Sequence, residues 1–452
     1  MLLAAMLVHV LAKWPIVTHD HGIYWPDEIY ESLEMAHRAV FGYGLVPWEF
    51  MDGARNWAVP LVFTLPMRAT VALGGDAPEH YLLATRLCLT GLTLLVAWWI
   101  ARGAREQGAG DLAAALAAGG FLICATTLYF SHRALSENLA QLPTIAGVVL
   151  LARVVTRAPL DRAARRRAIV LGASALGFAT LLRLQVGLVC VTSVGWFAVR
   201  ASRQPAARRD LYALLVTLTA WALIYGALDA WSYGRLPDVR WYGWFHSAIS
   251  YWRFNAVESG ARFWGTAPFY YYALVLVRAL DGLASVLALG TVLSLRRLPY
   301  LATVIVVFLG VHSLIPHKEL RFILPVVPLI FMAAAIGLST LTVAAWRRAG
   351  LAALAATALL SFVEHRSLAM RDIGAYPERR TDPAFDDFGA VNRLMLIART
   401  QPDLCGLRVE APLSWTGGST YLHRRVPIYG TGMTVPPTAA NFAIDRTTSQ
   451  VP

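Results

Sequence analysis

The chain has 452 residues, 57% of them hydrophobic and 15% charged, and a mean hydropathy of +0.51. A soluble domain carries roughly 45–50% apolar and about 25% charged residues, so this much apolar surface does not fit one water-soluble core; the aromatic content and low charge also exclude disorder. Lys and Arg outnumber Asp and Glu by 40 to 28, but the arginines cluster between apolar runs, as in the cytoplasmic loops of a membrane protein rather than on a nucleic-acid surface.

Apolar segments of spanning length, about 17–25 residues, are predicted near 2–18, 81–101, 111–130, 134–153, 168–184, 185–200, 210–231, 268–293, 299–316, 322–343 and 349–363. The stretch 57–74, interrupted by Pro60, Pro66 and Arg68, reads as a re-entrant or surface-lying element. Residues 1–18 lack the basic start and small-residue cleavage site of a signal peptide and read as a span. With the N-terminus inside, every second loop should be basic. Those loops carry Arg102 and Arg105; Arg153, Arg157, Arg162, Arg165, Arg166 and Arg167; Arg200, Arg203, Arg208 and Arg209; Arg296 and Arg297; Arg347 and Arg348. One register satisfies all five, which predicts an all-α polytopic membrane protein of about eleven spans with its C-terminal segment outside. That segment changes composition. The expected division is a membrane domain over 1–363 and a small outward α/β appendage over 364–452. Cys88, Cys124, Cys190 and Cys405 form no CxxC, so neither a disulfide framework nor a zinc site is read.

Two outward constellations carry chemistry. In the first outer loop, Trp25-Pro26-Asp27-Glu28-Ile29-Tyr30-Glu31 opens an amphipathic run that reads as a helix lying on the membrane surface. Asp27 there suits an N-cap and Glu28 a helix's first turn. Yet acidic residues at a membrane edge are costly unless used, and a carboxylate there can serve as general base on a sugar hydroxyl. The second is His317-Lys318-Glu319-Leu320-Arg321 after the ninth span. On a helix its three cations converge on one anion; the bland alternative is a basic rim against lipid headgroups. Ser131-His132-Arg133 with Glu137 and Asn138, and Arg183 with Gln185, share the outer side. Outward carboxylates, outward cations and a many-span bundle fit sugar transfer from a lipid-phosphate donor. The phosphate leaving group is already anionic and needs charge stabilisation rather than a proton. No metal-ligand spacing is present, so no metal or cofactor is expected.

The chain resembles the GT-C glycosyltransferases of family 22, the dolichyl-phosphate-mannose-dependent α-mannosyltransferases of GPI-anchor and lipid-linked oligosaccharide assembly. The resemblance rests on Pro26-Asp27-Glu28-Ile29-Tyr30-Glu31-Ser32-Leu33-Glu34, His37, Phe41-Gly42-Tyr43-Gly44 and Trp48-Glu49, and on His317-Lys318-Glu319-Leu320-Arg321-Phe322-Ile323-Leu324-Pro325. Weaker echoes are Arg133, Arg183, Asp229 with Tyr233-Gly234, and Phe254-Asn255. It implies a GT-C bundle and an inverting enzyme, with Asp27 as catalytic base and Glu28 second. It also implies a donor-phosphate site of His317, Lys318, Arg321, Arg133 and Arg183, and acceptor or sugar contacts from Glu31, His37, Trp48, Glu49, Asp229 and Asn255. The implied partners are a polyprenyl-phosphate sugar donor, with mannose as the expected sugar, a glycan or glycolipid acceptor, and membrane lipid. Trp25, Leu320 and Leu184-Gln185 depart from the family pattern. The Ala/Arg/Leu bias and the absence of a retrieval signal at Val451-Pro452 point to a bacterial inner membrane with the site facing periplasm or exterior, or to the endoplasmic reticulum in a eukaryotic host. The alternatives are another GT-C transferase, of aminoarabinose or protein-mannosyl type, and a secondary transporter, whose charged sites belong nearer the bilayer midplane.

Overall fold

The structure, a computed structural model, describes residues 1–156, 160–235, 243–374, 381–434, 436 and 439–445; Arg157 and Val451-Pro452 lie outside the described residues. Among these, six helices are long and apolar enough to cross a membrane: Leu2–His19, Pro78–Glu106, Ser136–Thr156, Leu184–Arg203, Pro205–Tyr233 and Leu320–Ser339. Several stretches expected as unbroken spans are divided. Cys124, in an extended conformation, separates helices Asp111–Ile123 and Ala125–Phe130. Asp281, at φ 47° and ψ −134°, separates Tyr271–Leu280 from Gly282–Ser294. Residues Leu320–Val326 form a 3-10 turn ahead of helix Val327–Leu338, because Pro325 and Pro328 supply no N–H to an α-helical ladder. The proline-interrupted stretch near 57–74 is one helix, Ala58–Ala72.

The chain forms two compact units, each discontinuous in sequence. The first comprises Met1–Ala12, Thr90–Ser131 and Glu137–Phe385. Its core is helix Val327–Leu338, buried at every position and packed on Gly282–Ser294 and Asp111–Ile123. A Cβ on Gly337 would stand 1.8 Å from the Gly290 carbonyl oxygen, so these two helices meet backbone to backbone, as small residues allow in membrane bundles. Two carboxylates hold the arginine-rich loops: Glu106 binds Arg102 at 2.9 Å and Arg153 at 2.6 Å, and Asp210 pairs with Arg165.

The second unit comprises Lys13–Leu89, His132–Ser136 and Asp386–Pro452. A boundary at 363/364 therefore does not follow the packing. Residues up to Phe385 belong with the first unit, and the chain from Asp386 folds with the first loop. This C-terminal part holds helix Ala390–Ala398 and a three-stranded parallel sheet, Leu407–Val409 lying between Ile428–Tyr429 and Phe442–Ile444. The amphipathic run of the first loop becomes a π-helical turn, Glu28–Leu33, continued by α-helix Glu34–Phe41 and closed by Gly42 at φ 81°. Where one apolar face was expected to bury, Glu28, Ser32, Glu34 and His37 are buried as well.

Candidate active site

The acid motif sits at the start of the π-helical turn, a geometry that recurs at functional sites. Asp27 occupies the N-cap position, but its side chain makes no capping bond, so the helix-cap reading does not account for it. Glu28 is only 4% exposed. It accepts the backbone N–H of Tyr24 and is bound by Arg133 Nη1 at 3.1 and 3.3 Å. Arg133 continues to Asp20 Oδ2 at 3.2 Å, which also meets His132 Nε2 at 2.6 Å; Lys13 Nζ lies 2.5 Å from His132 Nδ1. With His132 neutral, donating through Nε2 and accepting through Nδ1, each link of the chain Lys13–His132–Asp20–Arg133–Glu28 joins a donor to an acceptor, and Arg133 bridges the two buried carboxylates, the condition for burying such groups. Burial lifts the Glu28 carboxyl above its usual range, against the pull of Arg133. Burial acts likewise on Asp20, but Arg133 and His132 overcome it and hold Asp20 well below the carboxylate range.

Asp27 answers to different neighbours. Glu49 is pushed up to about 8 by burial and by the charges of Glu31 and Asp27, with Arg55 opposing, and Arg55 Nε binds Glu31 Oε2 at 2.7 Å. Three carboxyls and one guanidinium thus share one field, and two adjacent residues face separate surroundings. Trp48 opens the short helix Trp48–Met51 beside this group and is half-buried.

Other residues expected at the site are already committed within the protein. Arg133, expected on the donor phosphate, binds Glu28 and Asp20. His37, expected on a sugar, is wholly buried, with Nδ1 3.1 Å from the Tyr43 carbonyl and Nε2 2.9 Å from His423 Nδ1. Asp229 is buried and accepts the backbone N–H and hydroxyl of Ser247, fastening helix Arg208–Tyr233 to His246–Trp252. Asn255 Nδ2 donates to the Tyr251 carbonyl.

The basic motif belongs to the first unit and differs from its expected geometry. Residues 317–319 are not helical, and the anion on which His317 and Arg321 converge is Glu319 of the motif itself. His317 Nε2 lies 2.7 Å from Oε1 and Arg321 Nε 2.5 Å from Oε2. The other ring nitrogen of His317 meets the Gly265 carbonyl at 3.0 Å. Both ring nitrogens of His317 are thus engaged within the protein. Arg183 pairs with Glu137 at 3.1 Å, and the guanidinium carbons of Arg183 and Arg321 each stand 5.3 Å from the centre of the Phe322 ring. Lys318 turns away: its Nζ donates to the Ala267 and Pro316 carbonyls at 2.7 and 3.4 Å, with no carboxylate within ion-pair distance among the described residues. Arg183 and Arg321 are thus each paired with a carboxylate, whereas Lys318 meets carbonyl oxygens.

Sequence reasoning assigned no role to Lys13, Asp20 or Glu34. The signal for the first two was present, since a lysine inside an apolar span with an aspartate at its end calls for a partner. Among the described residues, no three His, Cys, Asp or Glu side chains are grouped to hold a metal ion.

The fold is shared with solved membrane glycosyltransferases of the GT-C class. ArnT from Cupriavidus metallidurans, solved bound to undecaprenyl phosphate, superposes with a TM-score of 0.68 over 99% of this chain and 90% of its own, at 14% identity. The Archaeoglobus fulgidus oligosaccharyltransferase, solved with Zn and sulfate, gives 0.59 over 95% of this chain and 62% of its own, at 12% identity. The sequence model of the Alg9-like mannosyltransferase family matches residues 3–380, and the chain belongs to that family. Among curated relatives, the GPI alpha-1,2-mannosyltransferase 3 of Danio rerio is 26% identical over 73% of this chain and 58% of its own length. GPI mannosyltransferase 4 of Eremothecium gossypii is 32% identical over 73% of this chain and 62% of its own length. The chain thus spans about six-tenths of the length of these relatives.

Proposed function

We propose that the chain transfers mannose from a polyprenyl-phosphate donor to a glycan or glycolipid acceptor at the outer face of the membrane, with inversion at the anomeric carbon. Family membership supports the sugar. The observation that carries the chemistry is the difference between two neighbouring carboxylates: Glu28 is tied to Arg133, whereas Asp27 acts, with Glu31 and Arg55, on Glu49. Asp27 is assigned as the base. Its carboxylate takes the proton of the acceptor hydroxyl as the new oxygen–carbon bond forms. The anomeric carbon–oxygen bond to phosphate breaks, and the polyprenyl phosphate leaves with the electron pair. Lys318, whose ammonium meets carbonyl oxygens rather than a carboxylate among the described residues, is assigned to the donor phosphate. Side-chain charge of this kind serves an anionic leaving group without a divalent ion.

The test is transfer by the purified protein in lipid, using polyprenyl-phosphate mannose and a glycan extract as acceptor. Asp27→Asn should lower kcat about 10²–10⁴-fold, the range for a lost general base, with the protein still inserted in the membrane, and EDTA should leave the wild-type rate unchanged. Near-normal turnover in the variant refutes the base assignment, and strict metal rescue refutes the metal-free account.

A further inference from the structure

The family match ends at residue 380, yet the chain from Asp386 packs into the unit that holds the acid motif. Its turn over 416–423 meets the first loop through an unusual density of buried polar contacts. Glu34 is wholly buried. One of its carboxylate oxygens accepts the N–H groups of Leu45 and Ser419 at 2.8 and 3.0 Å; the other accepts the N–H and hydroxyl of Thr420 at 2.8 and 2.7 Å. Four donors and no acceptor face it, so the group is satisfied as an anion. Gly418 makes room: at φ +55°, a Cβ there would lie 2.9 Å from Glu34 Oε2. Around this centre Tyr30 donates to the Leu413 carbonyl, Tyr81 to the Thr420 carbonyl, and His423, held at φ 45°, meets His37. The turn also carries Tyr421. Its hydroxyl accepts from Arg86 at 3.0 Å, and its side chain closes a cavity of about 30 Å³ shared with Asp20, Glu28, His132 and Arg133.

We infer that the segment from Asp386 onward is an integral part of the acid-bearing unit rather than an accessory domain, and that Glu34 is the positioning residue that seats it, setting Tyr421 against the Glu28–Arg133 pair. Nothing about Glu34 requires contact with substrate. Its effect runs through the turn it holds, so its loss should disturb the chemical step more than donor binding. This consequence for rate rests on the proposed role of the acid motif; the seating itself does not.

The full-length protein with a protease site inserted between Phe385 and Asp386 separates the two. After cleavage the wild-type C-terminal fragment should remain bound through detergent chromatography, and transfer should persist. In Glu34→Ala the fragment should be shed on cleavage. In the uncut variant kcat should fall about tenfold or more, with KM for the lipid donor within about twofold, the pattern of a misplaced catalytic group. If Glu34→Ala does not accumulate, Thr420→Val removes one donor without stranding the carboxylate, and it should weaken fragment retention in the same direction. A wild-type fragment that dissociates while transfer continues overturns the proposal, as does an uncut Glu34→Ala with unchanged kcat. If the wild type transfers no sugar from any polyprenyl-phosphate donor offered, the activity reading fails while fragment retention still decides the seating.

Discussion

Residues 27 and 28 are both carboxylates, one peptide apart, and their chemistry diverges because their neighbours do. Glu28 is neutralised by a guanidinium 105 positions away in sequence, a pairing that no local pattern reveals. Periodicity and motif spacing could place both acids on one loop; only the fold decides which of them meets Arg133. The same limit applies to His37, whose partner His423 is 386 positions distant. Two titrations with opposite signs follow. Glu49, held at about 8 against an ordinary value near 4.5, keeps a proton that the unfolded chain gives up, so its contribution to stability is lost as pH rises from about 4.5 through 8. His37 is pushed down to about 3 by burial and by His423, so the unfolded chain binds the extra proton and stability is lost as pH falls from about 6.5 toward 3. Each slope is at most about 1.4 kcal/mol per pH unit. Thermal unfolding in detergent across pH 4–9 should show both limbs. Glu49→Gln should flatten the alkaline limb alone, and an unchanged alkaline limb in that variant would refute the assignment.

At the scale of elements, the basic motif was legible as a cluster of cations but not as a shape. A helix over 317–321 would have aimed three donors at one external anion. The non-helical residues before Leu320 instead let His317 and Arg321 grip Glu319, leaving Lys318 with carbonyl partners. The expected outcome is a division of labour. Lys318→Gln should weaken donor use about 10²-fold, the scale of losing one charge-stabilising donor, with little change in thermal stability. Arg321→Gln should destabilise the fold, since it leaves a buried carboxylate short of a partner, a change worth about 3–5 kcal/mol. Paired measurements of kcat/KM and Tm distinguish the two; equal stability loss in both variants would count against the division. The helix contact at Gly337 and Gly290 makes a separate prediction. Gly337→Leu has no space to occupy and should cost at least about 1–3 kcal/mol, read as a lowered Tm or loss of monodisperse protein.

For the molecule as a whole, composition made the membrane environment legible and the two motifs pointed to the family, because both depend on residue type and spacing. What stayed hidden was the partition into units. A linear reading cuts a chain where its composition changes, whereas packing gathers residues 13–89, a five-residue piece at 132–136 and the chain from 386 into one body. The short middle piece explains why: it carries His132 and Arg133, the pair that binds Asp20 and Glu28, and charges buried in a membrane protein stay only where their counter-charges are delivered.

Because that body draws on both early and late parts of the polypeptide, it has an order of manufacture. The ribosome makes the turn that receives Glu34 almost four hundred residues after Asp27. Until that turn has been synthesised, the nascent protein holds Glu34 without the donors of Ser419 and Thr420, and its acid-bearing unit remains unfinished. A nonsense mutation late in the reading frame, sparing every helix of the bundle, would on this account be as disabling as one that strikes the acid motif directly.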